Sequence, residues 1–391
     1  MTTHSQSITP NPAIKNDFIH PTSLVPARLW QNAWAQSQQS QSIEKLERQS
    51  GYALIFVIHA NDADEDWLEM PLKTEVSSVI SDWAKRHGWH YADVEGEEHS
   101  KRDADFFNNH DDNLTPVYVF RYLLIEPDTC KETTAQDQLT NLTFNDILAP
   151  EQYDCHILPL SKMQPHKLAF FDMDSTLIEQ EVIVELAKFA GIGEQVSEIT
   201  ESAMRGEIDF SESFRRRVAL LKGLSTDVLD KICGQLTLSA GAKTLLSTLK
   251  ANGYHTVLVS GGFTYFARHV AEELGIDEYH ANELDIADGQ VTGKVVMPIV
   301  DGNRKAQIVK QRANELGIPL DDVVCVGDGA NDLEMMDVAD LGIAYRAKPV
   351  VQEQADTAVN VTGLDGVAYV LVNLDTHKPF ISKQTVIKIH G

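Results

Sequence analysis

From His166 onward, short apolar runs alternate with segments whose apolar residues recur at helical spacing. The apolar runs predict strands over residues 168–172, 256–260, 323–327, 341–345 and 357–361. Two shorter runs joined through Asp288-Gly289 predict a β-hairpin, Glu283–Ile286 with Val291–Val295. Because strands that alternate with helices form a parallel sheet covered on both faces, this half of the chain predicts an α/β fold.

A long helical insertion separates the first two predicted strands, over about residues 180–240. Its apolar residues form two stripes at helical spacing: Ile183, Leu186, Ala187 and Ala190 in the first, and Phe214, Val218 and Leu221 in the second. An insertion at this point predicts a helical cap over the carboxyl ends of the strands. Such a cap excludes water and selects the leaving group of a substrate.

The first 165 residues have a different pattern. Residues 1–50 are polar and weakly periodic, and we expect this segment to be mobile. Residues 51–165 predict a small α+β domain, with a helical stripe ending near Gly88 and strands at Tyr52–His59, Val117–Ile125 and Asp154–Leu160. This domain resembles the amino-acid-sensing ACT fold, which implies a regulatory or structural role and a homodimer formed through it. The chain after residue 165 is expected to fold without it.

Composition narrows the classes of partner and compartment. The chain has 33 basic and 58 acidic residues, a formal net charge of −25, which argues against nucleic acid or an anionic membrane as the main partner. The four cysteines show no C-x-x-C pair and indicate a reducing compartment. The N-terminus has no secretory signal pattern, and the apolar runs are too short to span a bilayer. These features predict a cytoplasmic protein.

Two aspartates follow the first predicted strand. The run from Lys167 to Phe171 is strand-like, and Asp172 and Asp174 come directly after it, two positions apart. Where a strand ends, their side chains can diverge, so that one carboxylate attacks phosphorus while the other handles protons. The alternative is structural, because aspartates at strand ends also cap helices and form turns.

The second predicted strand ends in a hydroxyl residue and glycines. Ser260 and Gly261 follow the run Val257–Val259, and a helical pattern begins at Phe263. A strand, a turn of small residues and a helix N-terminus place backbone N–H groups and a hydroxyl around an anion such as phosphate. By itself the pattern is weak, because Ser-Gly-Gly is also ordinary turn sequence.

The third predicted strand, residues 323–327, ends in Gly-Asp-Gly. Asp328 supplies a carboxylate that suits a hard divalent cation, and Asn331 and Asp332 follow within four positions. Read locally, Asn331 and Asp332 are also plausible helix caps. The occurrence of three such strand ends in this order makes coincidence improbable.

Together these segments resemble the motifs of the haloacid dehalogenase superfamily of phosphatases and phosphotransferases. The resemblance implies a Rossmannoid parallel sheet with a helical cap inserted after the first core strand, and Mg²⁺ as cofactor. The superfamily also requires a lysine near the start of the helix that precedes the Gly-Asp-Gly strand. Lys305 aligns with that lysine, and Arg304 is the alternative.

The resemblance also implies roles for the motif residues. Asp172 is the nucleophile, and Asp174 protonates the leaving oxygen and later activates water. Mg²⁺ is held by Asp172, the main-chain carbonyl of Asp174 and Asp328, with Asp332 behind these ligands. The phosphoryl group is bound, or the site ordered, by Ser260, Gly261, Lys305 and Asn331.

Residues of the insertion narrow the resemblance to the phosphoserine phosphatase family. Glu181 lies nine positions after Asp172, and residues 203–221 contain Met204, Phe210 and Arg217. By this resemblance Glu181 contacts the ammonium group of the substrate and Arg217 its carboxylate, while Met204 and Phe210 line the pocket. A fixed anion and a fixed cation suit a zwitterionic amino acid. Each residue also has a structural alternative. Glu181 could be a charge in the first turn of a helix, Arg217 part of a solvated basic face and Phe210 an ordinary core residue.

The resemblance therefore predicts hydrolysis of O-phospho-L-serine, the last step of serine biosynthesis. One alternative is a related phosphatase or phosphotransferase acting on another small phosphorylated amine, such as phosphohomoserine. A second alternative is an amino-acid-sensing regulator without catalytic activity. The presence of every motif carboxylate and of Lys305 argues against this second alternative.

Overall fold

The computed structural model describes residues 51–59, 69–93, 117–126, 135–163, 166–371 and 389–390. The segment 1–50, predicted to be mobile, lies outside the described residues. None of the helices in these described ranges is both long and apolar enough to cross a membrane.

Strands and helices are numbered in chain order. The strands are β1 (Gly51–His59), β2 (His90–Asp93), β3 (Val117–Ile125), β4 (Tyr153–Pro159), β5 (Leu168–Phe171), β6 (His255–Phe263), β7 (Glu278–Asn282), β8 (Leu284–Ala287), β9 (Gln290–Val295), β10 (Val323–Gly327), β11 (Leu341–Tyr345), β12 (Thr357–Val359) and β13 (Ile389–His390). The helices are α1 (Glu69–His87), α2 (Ala135–Leu139), α3 (Val182–Ala190), α4 (Gly193–Met204), α5 (Phe210–Leu220), α6 (Thr226–Cys233), α7 (Ala242–Ala251), α8 (Thr264–Leu274), α9 (Gly302–Leu316), α10 (Leu333–Val338), α11 (Pro349–Gln354) and α12 (Asp365–Leu371).

A six-stranded parallel sheet forms the centre of the second half of the chain. Its strand order is β12-β11-β10-β5-β6-β7, so the predicted α/β class is confirmed. Five of these strands lie where the apolar runs predict them. The sixth, β7, was missed because its sequence EYHAN is polar, as suits a strand that is paired on one side only.

Alternating residues of the central strands pack against helices on opposite faces. Leu168 and Phe170 of β5 belong to one hydrophobic cluster, which contains side chains of α9, α10 and α11. Ala169 and Phe171 belong to another, which contains side chains of α7, α8 and α12. Strands buried on both faces read as continuous apolar runs, which explains why the sequence located them.

Helices α3 to α6 are inserted after β5 and form the predicted cap. The two connections to the core lie side by side, with Glu179 N–H donating to Thr237 O and Ser239 N–H donating to Leu177 O, each at 2.9 Å. The hairpin β8–β9, predicted from its Asp-Gly turn, also joins the cap. Val291 exchanges backbone hydrogen bonds with the loop after α5, donating to Leu224 and accepting from Gly223.

The N-terminal part is an antiparallel sheet of order β13-β2-β3-β1-β4. Helix α1 covers one face, where Ile80 and Trp83 pack in a cluster with Phe56 and Tyr122. The other face carries Ile55 and Leu123, which belong to the same hydrophobic core as helix α12 of the α/β unit. The N-terminal sheet is therefore packed directly on the α/β unit. The resemblance to the ACT fold stays a prediction.

Candidate active site

Three neighbouring strands of the parallel sheet bring the motifs to one edge. β10 pairs with β5 and β5 pairs with β6, all parallel, so their carboxyl ends meet below the cap. A cavity of about 740 Å³ lies there. The predicted site residues that line it are Asp172, Asp174, Glu181, Phe210, Arg217, Ser260, Gly261, Asp328 and Asn331.

Asp172 is fixed at the end of β5. Its backbone N–H donates to Val326 O at 3.0 Å, which continues the pairing with β10 by one residue. Its Oδ1 accepts a hydrogen bond from Met173 N–H at 2.7 Å and lies 2.8 Å from Lys305 Nζ. Only 5% of the residue is exposed. Asp172 Oδ1 is therefore fixed by two contacts, which orients the carboxylate towards the cavity.

Lys305 lies beneath the cavity and is fully buried. It comes from the first turn of α9, where the Asp301 side chain caps the helix by accepting from Arg304 N–H. Its Nζ lies 2.8 Å from Asp172 Oδ1 and 2.7 Å from Asp332 Oδ1. Burial lowers the pKa of Lys305, but the two carboxylates outweigh burial and raise the pKa above its ordinary value. The alternative, Arg304, instead donates to Gln307.

Asp172, Asp328 and Asp332 form a carboxylate cluster. One oxygen of each lies within 4.8 Å of the others, an arrangement that suits a hard cation with oxygen ligands. Asp332 already uses both oxygens, one with Lys305 Nζ and one with Gly329 N–H at 3.0 Å. Burial, followed by the Asp172 charge, raises the pKa of Asp328 to about 6. These carboxylates therefore repel one another, and a bound cation would relieve that repulsion.

Asp174 differs from Asp172 in its surroundings. Burial, followed by the charges of Glu181 and Asp172, raises the pKa of Asp174 well above its ordinary value. Its Oδ1 is buried without a hydrogen-bond partner among the described residues. Gly262 leaves room for the other oxygen, because a Cβ there would lie 3.2 Å from Asp174 Oδ2. The carboxyl group is thus suited to carry a proton towards the cavity.

Ser260 and Gly261 lie on the opposite side of the cavity from β10. The buried Ser260 Oγ accepts a hydrogen bond from Gly262 N–H at 2.8 Å, which leaves its own proton available to a ligand. A Cβ at Gly261 would lie 3.3 Å from Phe210 Cζ, so the cap helix α5 approaches this turn closely. The turn can therefore bind an anion on one side while the cap closes it from the other.

Glu181 and Arg217 face the cavity from the cap. Ser175 has a φ of 57° and its Oγ donates to Glu181 Oε1 at 2.9 Å. Burial raises the pKa of Glu181, and burial lowers that of Arg217. Arg217 lines the cavity, and its Nε donates to Ser213 O at 3.4 Å, so its terminal amino groups are not used by that hydrogen bond. A carboxylate (Glu181) and a guanidinium group (Arg217) therefore line the same cavity as Asp172.

Of the predicted cap residues, Met204 ends helix α4, but its side chain is not among those described. Sequence reasoning gave no role to three residues at the site. Thr176 is buried and donates to Asp328 Oδ1 at 3.2 Å, Ser175 holds Glu181, and Lys348 lines the cavity. The two hydroxyls are the S-T of the D-x-D-S-T pattern, so the motif contained their signal. Lys348 follows β11 and had no local signal.

The chain also resembles characterised proteins. A sequence model of haloacid dehalogenase-like hydrolases matches residues 169–337. The chain is 49% identical over 216 residues to the phosphoserine phosphatase of Archaeoglobus fulgidus, a match that covers 54% of this chain and 63% of the relative. It is 39% identical over 271 residues to the phosphoserine phosphatase of Vibrio cholerae, a match that covers 69% of this chain and 80% of the relative. The chain belongs to the phosphoserine phosphatase family.

The structure of this family member also aligns with a solved one. A haloacid dehalogenase-family hydrolase of Salmonella enterica serovar Typhi superposes with a TM-score of 0.64 and 29% identity, over 82% of this chain and 98% of that one. The aligned share is larger than residues 166–371, so it includes part of the N-terminal unit. The chain spans 63% and 50% of the curated relatives from Archaeoglobus fulgidus and Streptomyces coelicolor.

Proposed function

We propose that this protein hydrolyses O-phospho-L-serine to serine and inorganic phosphate, the last step of serine biosynthesis. The observation that carries the proposal is the placement of Glu181 and Arg217 on the same cavity as Asp172. A phosphate ester of an amino acid needs a nucleophile at phosphorus, an anion for its ammonium group and a cation for its carboxylate. Relatives named as phosphoserine phosphatases support this choice of substrate.

In the first step, a carboxylate oxygen of Asp172 attacks phosphorus and forms an aspartyl-phosphate. The bond between phosphorus and the serine oxygen breaks, and Asp174 gives that oxygen its proton. The raised pKa of Asp174 supports this assignment, because a carboxyl group must be protonated to act as an acid near neutral pH. Lys305 pairs with Asp172 Oδ1 at 2.8 Å and offsets the negative charge beside the attacking oxygen.

In the second step, water attacks phosphorus of the aspartyl-phosphate. Asp174, now ionised, takes a proton from this water, and the bond between phosphorus and the Asp172 oxygen breaks. Phosphate leaves, Asp172 is a carboxylate again and Asp174 is protonated again, so the enzyme returns to its starting state. Ser260, Gly261, Lys305 and Asn331 bind the phosphoryl group or order the site around it.

The carboxylate cluster fits a divalent cation, and we assign Mg²⁺ to it. Asp172, the main-chain carbonyl of Asp174 and Asp328 would hold the ion, which neutralises charge on the phosphoryl oxygens when bound. Asp332 is assigned a position behind these ligands, because its two oxygens are already engaged by Lys305 and Gly329. Its contribution is to orient Lys305.

The cap selects the amino-acid part of the substrate in this proposal. Glu181 binds the ammonium group, Arg217 binds the carboxylate, and Phe210 and Met204 line the space between. Phe210 stacks on Phe214 with ring centroids 6.1 Å apart, which supports a rigid apolar wall. Closure of this wall would exclude water from the first step.

The test is phosphate release from a panel of esters by the purified protein. We expect O-phospho-L-serine to be preferred over phosphohomoserine and over an aryl phosphate, with activity lost in EDTA and restored by Mg²⁺. Preference for another ester would reject the proposed substrate, and full activity in EDTA would reject the cation. A homodimer through the N-terminal unit stays a prediction, which the mass in solution tests.

A further inference from the structure

Acidic side chains outnumber basic ones in the lining of the cavity above Asp172. The carboxylates that face it are Asp172, Asp174, Glu181, Asp209, Asp301, Asp328 and Glu334. Among the described residues that line it, Arg217 and Lys348 are the only lysines or arginines. Lys305 lies below and already pairs with Asp172 and Asp332. Few lysine or arginine side chains are therefore available in this lining to bind the negative groups of a substrate.

Lys348 reaches the cavity from the sheet side. It directly precedes α11 and follows β11, which pairs with β10, the strand that ends just before Asp328. Its backbone is extended, with φ −62° and ψ 150°. Within the part of the chain that the structure describes, Lys348 forms no ion pair within 4.0 Å, although it is exposed. Its ammonium group is therefore free to meet a ligand.

Lys348, Arg217 and Glu181 line the same cavity, and both cations act on the Glu181 carboxylate. Burial raises the pKa of Glu181, while hydrogen bonding by Ser175 and the charges of Arg217 and Lys348 lower it. Lys348 belongs to the sheet side and Arg217 to cap helix α5. Glu181, just before α3, therefore shares its cavity with one cation from the sheet unit and one from the cap.

We propose that Lys348 is a specificity-determining residue that binds the substrate carboxylate together with Arg217. The inference rests on the proposed function. In an amino acid the ammonium and carboxylate groups share one carbon, so a substrate whose ammonium binds Glu181 places its carboxylate close by. The phosphoryl end is held at Asp172, which leaves Lys348 to the other end. The substrate carboxylate is then bound by two cations, Lys348 from the sheet side and Arg217 from the cap.

The experiment compares two esters that differ in the carboxylate alone. O-phospho-L-serine carries it, whereas O-phosphoethanolamine keeps the phosphate and the ammonium but lacks it. We expect Lys348→Gln to lower kcat/KM for phosphoserine about three- to tenfold, mainly through KM, as suits one partly exposed charged contact. For phosphoethanolamine we expect a change below about twofold. Lys348→Arg should retain most of the phosphoserine activity.

The matched control is Lys188→Gln. Lys188 is an exposed lysine on cap helix α3 that pairs with Glu185 and does not line the cavity, so both esters should react as with the unmodified protein. Equal losses for both esters with Lys348→Gln, or no loss for phosphoserine, would overturn the role of Lys348. If the unmodified protein hydrolyses no phosphoserine, the proposed function itself fails, which is a separate result.

Discussion

Asp154 of the N-terminal sheet binds Thr362 of the α/β unit through two hydrogen bonds. The backbone N–H and the hydroxyl of Thr362 both donate to Asp154 Oδ2 at 2.8 Å. The backbone N–H groups of Asn360 and Val361 donate to Oδ1 at 2.8 and 3.1 Å. Asp154 is 3% exposed, so this carboxylate anchors the loop between β12 and α12 out of contact with water.

Replacing Asp154 should destabilise the protein. Asp154→Ala leaves buried N–H groups without an acceptor, and we expect the free energy of unfolding to fall by about 2–3 kcal/mol. Urea unfolding followed by circular dichroism measures this loss. Asp146→Ala, an exposed aspartate of the same unit, should change it by less than about 0.5 kcal/mol. Equal effects of the two variants would show that the buried hydrogen bonds contribute little.

Replacing either of the two aspartates that follow β5, Asp172 or Asp174, should abolish different steps of the reaction. Asp172→Asn removes the proposed nucleophile, so we expect turnover and formation of the phosphoenzyme to disappear together. Asp174→Asn removes the proposed proton donor and base, and is expected to leave a phosphoenzyme that hydrolyses slowly. Acid quench and mass spectrometry of the protein detect the covalent phosphate. Substantial turnover by Asp172→Asn would reject the mechanism.

Replacing Arg217 should raise KM for a phosphate ester of an amino acid much more than KM for other phosphate esters. Losing one charge-assisted contact costs about 1.5–3 kcal/mol, so Arg217→Ala should raise KM for phosphoserine roughly ten- to a hundredfold. Steady-state kinetics with phosphoserine and with an aryl phosphate measure the difference. Arg216→Ala is the matched control, because Arg216 is exposed, pairs with Glu212 and does not line the cavity. Equal losses on both substrates would make Arg217 a structural residue of the cap.

Glu181 should give substrate binding a pH dependence. Burial raises its pKa above the ordinary 4.5, so Glu181 takes up a proton at a higher pH than an exposed glutamate does. As the pH falls towards that pKa, the ammonium group loses its partner and KM for phosphoserine should rise. Glycolate phosphate, which has no ammonium group, serves as the comparison. A parallel rise in KM for both esters would assign the titration to another group.

Removing the N-terminal unit should lower the stability of the protein but change its catalytic activity little. Every residue of the proposed mechanism lies after residue 165, so a chain that begins at Met163 should keep kcat/KM within about an order of magnitude. It exposes part of α12, which is buried along its length and shares one hydrophobic cluster with Ile55 and Leu123 of the N-terminal sheet. We expect a lower Tm and a tendency to aggregate. An inactive but folded short chain would show that the N-terminal unit completes the site.

The sequence by itself located five of the six strands of the parallel sheet and the carboxylates that follow two of them. Asp172 and Asp328 could be located because a strand buried on both faces must be apolar, and a polar residue at its end is then conspicuous. The parallel order of the strands brings those ends together, so the candidate nucleophile and the candidate metal-binding carboxylates followed from local patterns. The Asp-Gly hairpin was predicted for the same reason, since its turn chemistry is local.

Only the tertiary structure decided how distant segments meet. Lys305 and Arg304 are adjacent in the sequence, and the packing of α9 against the sheet sends Lys305 inward and leaves Arg304 near Gln307. The same dependence on packing placed Lys348 at the cavity and joined the N-terminal sheet to α12. Contacts between segments far apart in the chain depend on the orientation of whole elements, which the periodicity of one element does not contain.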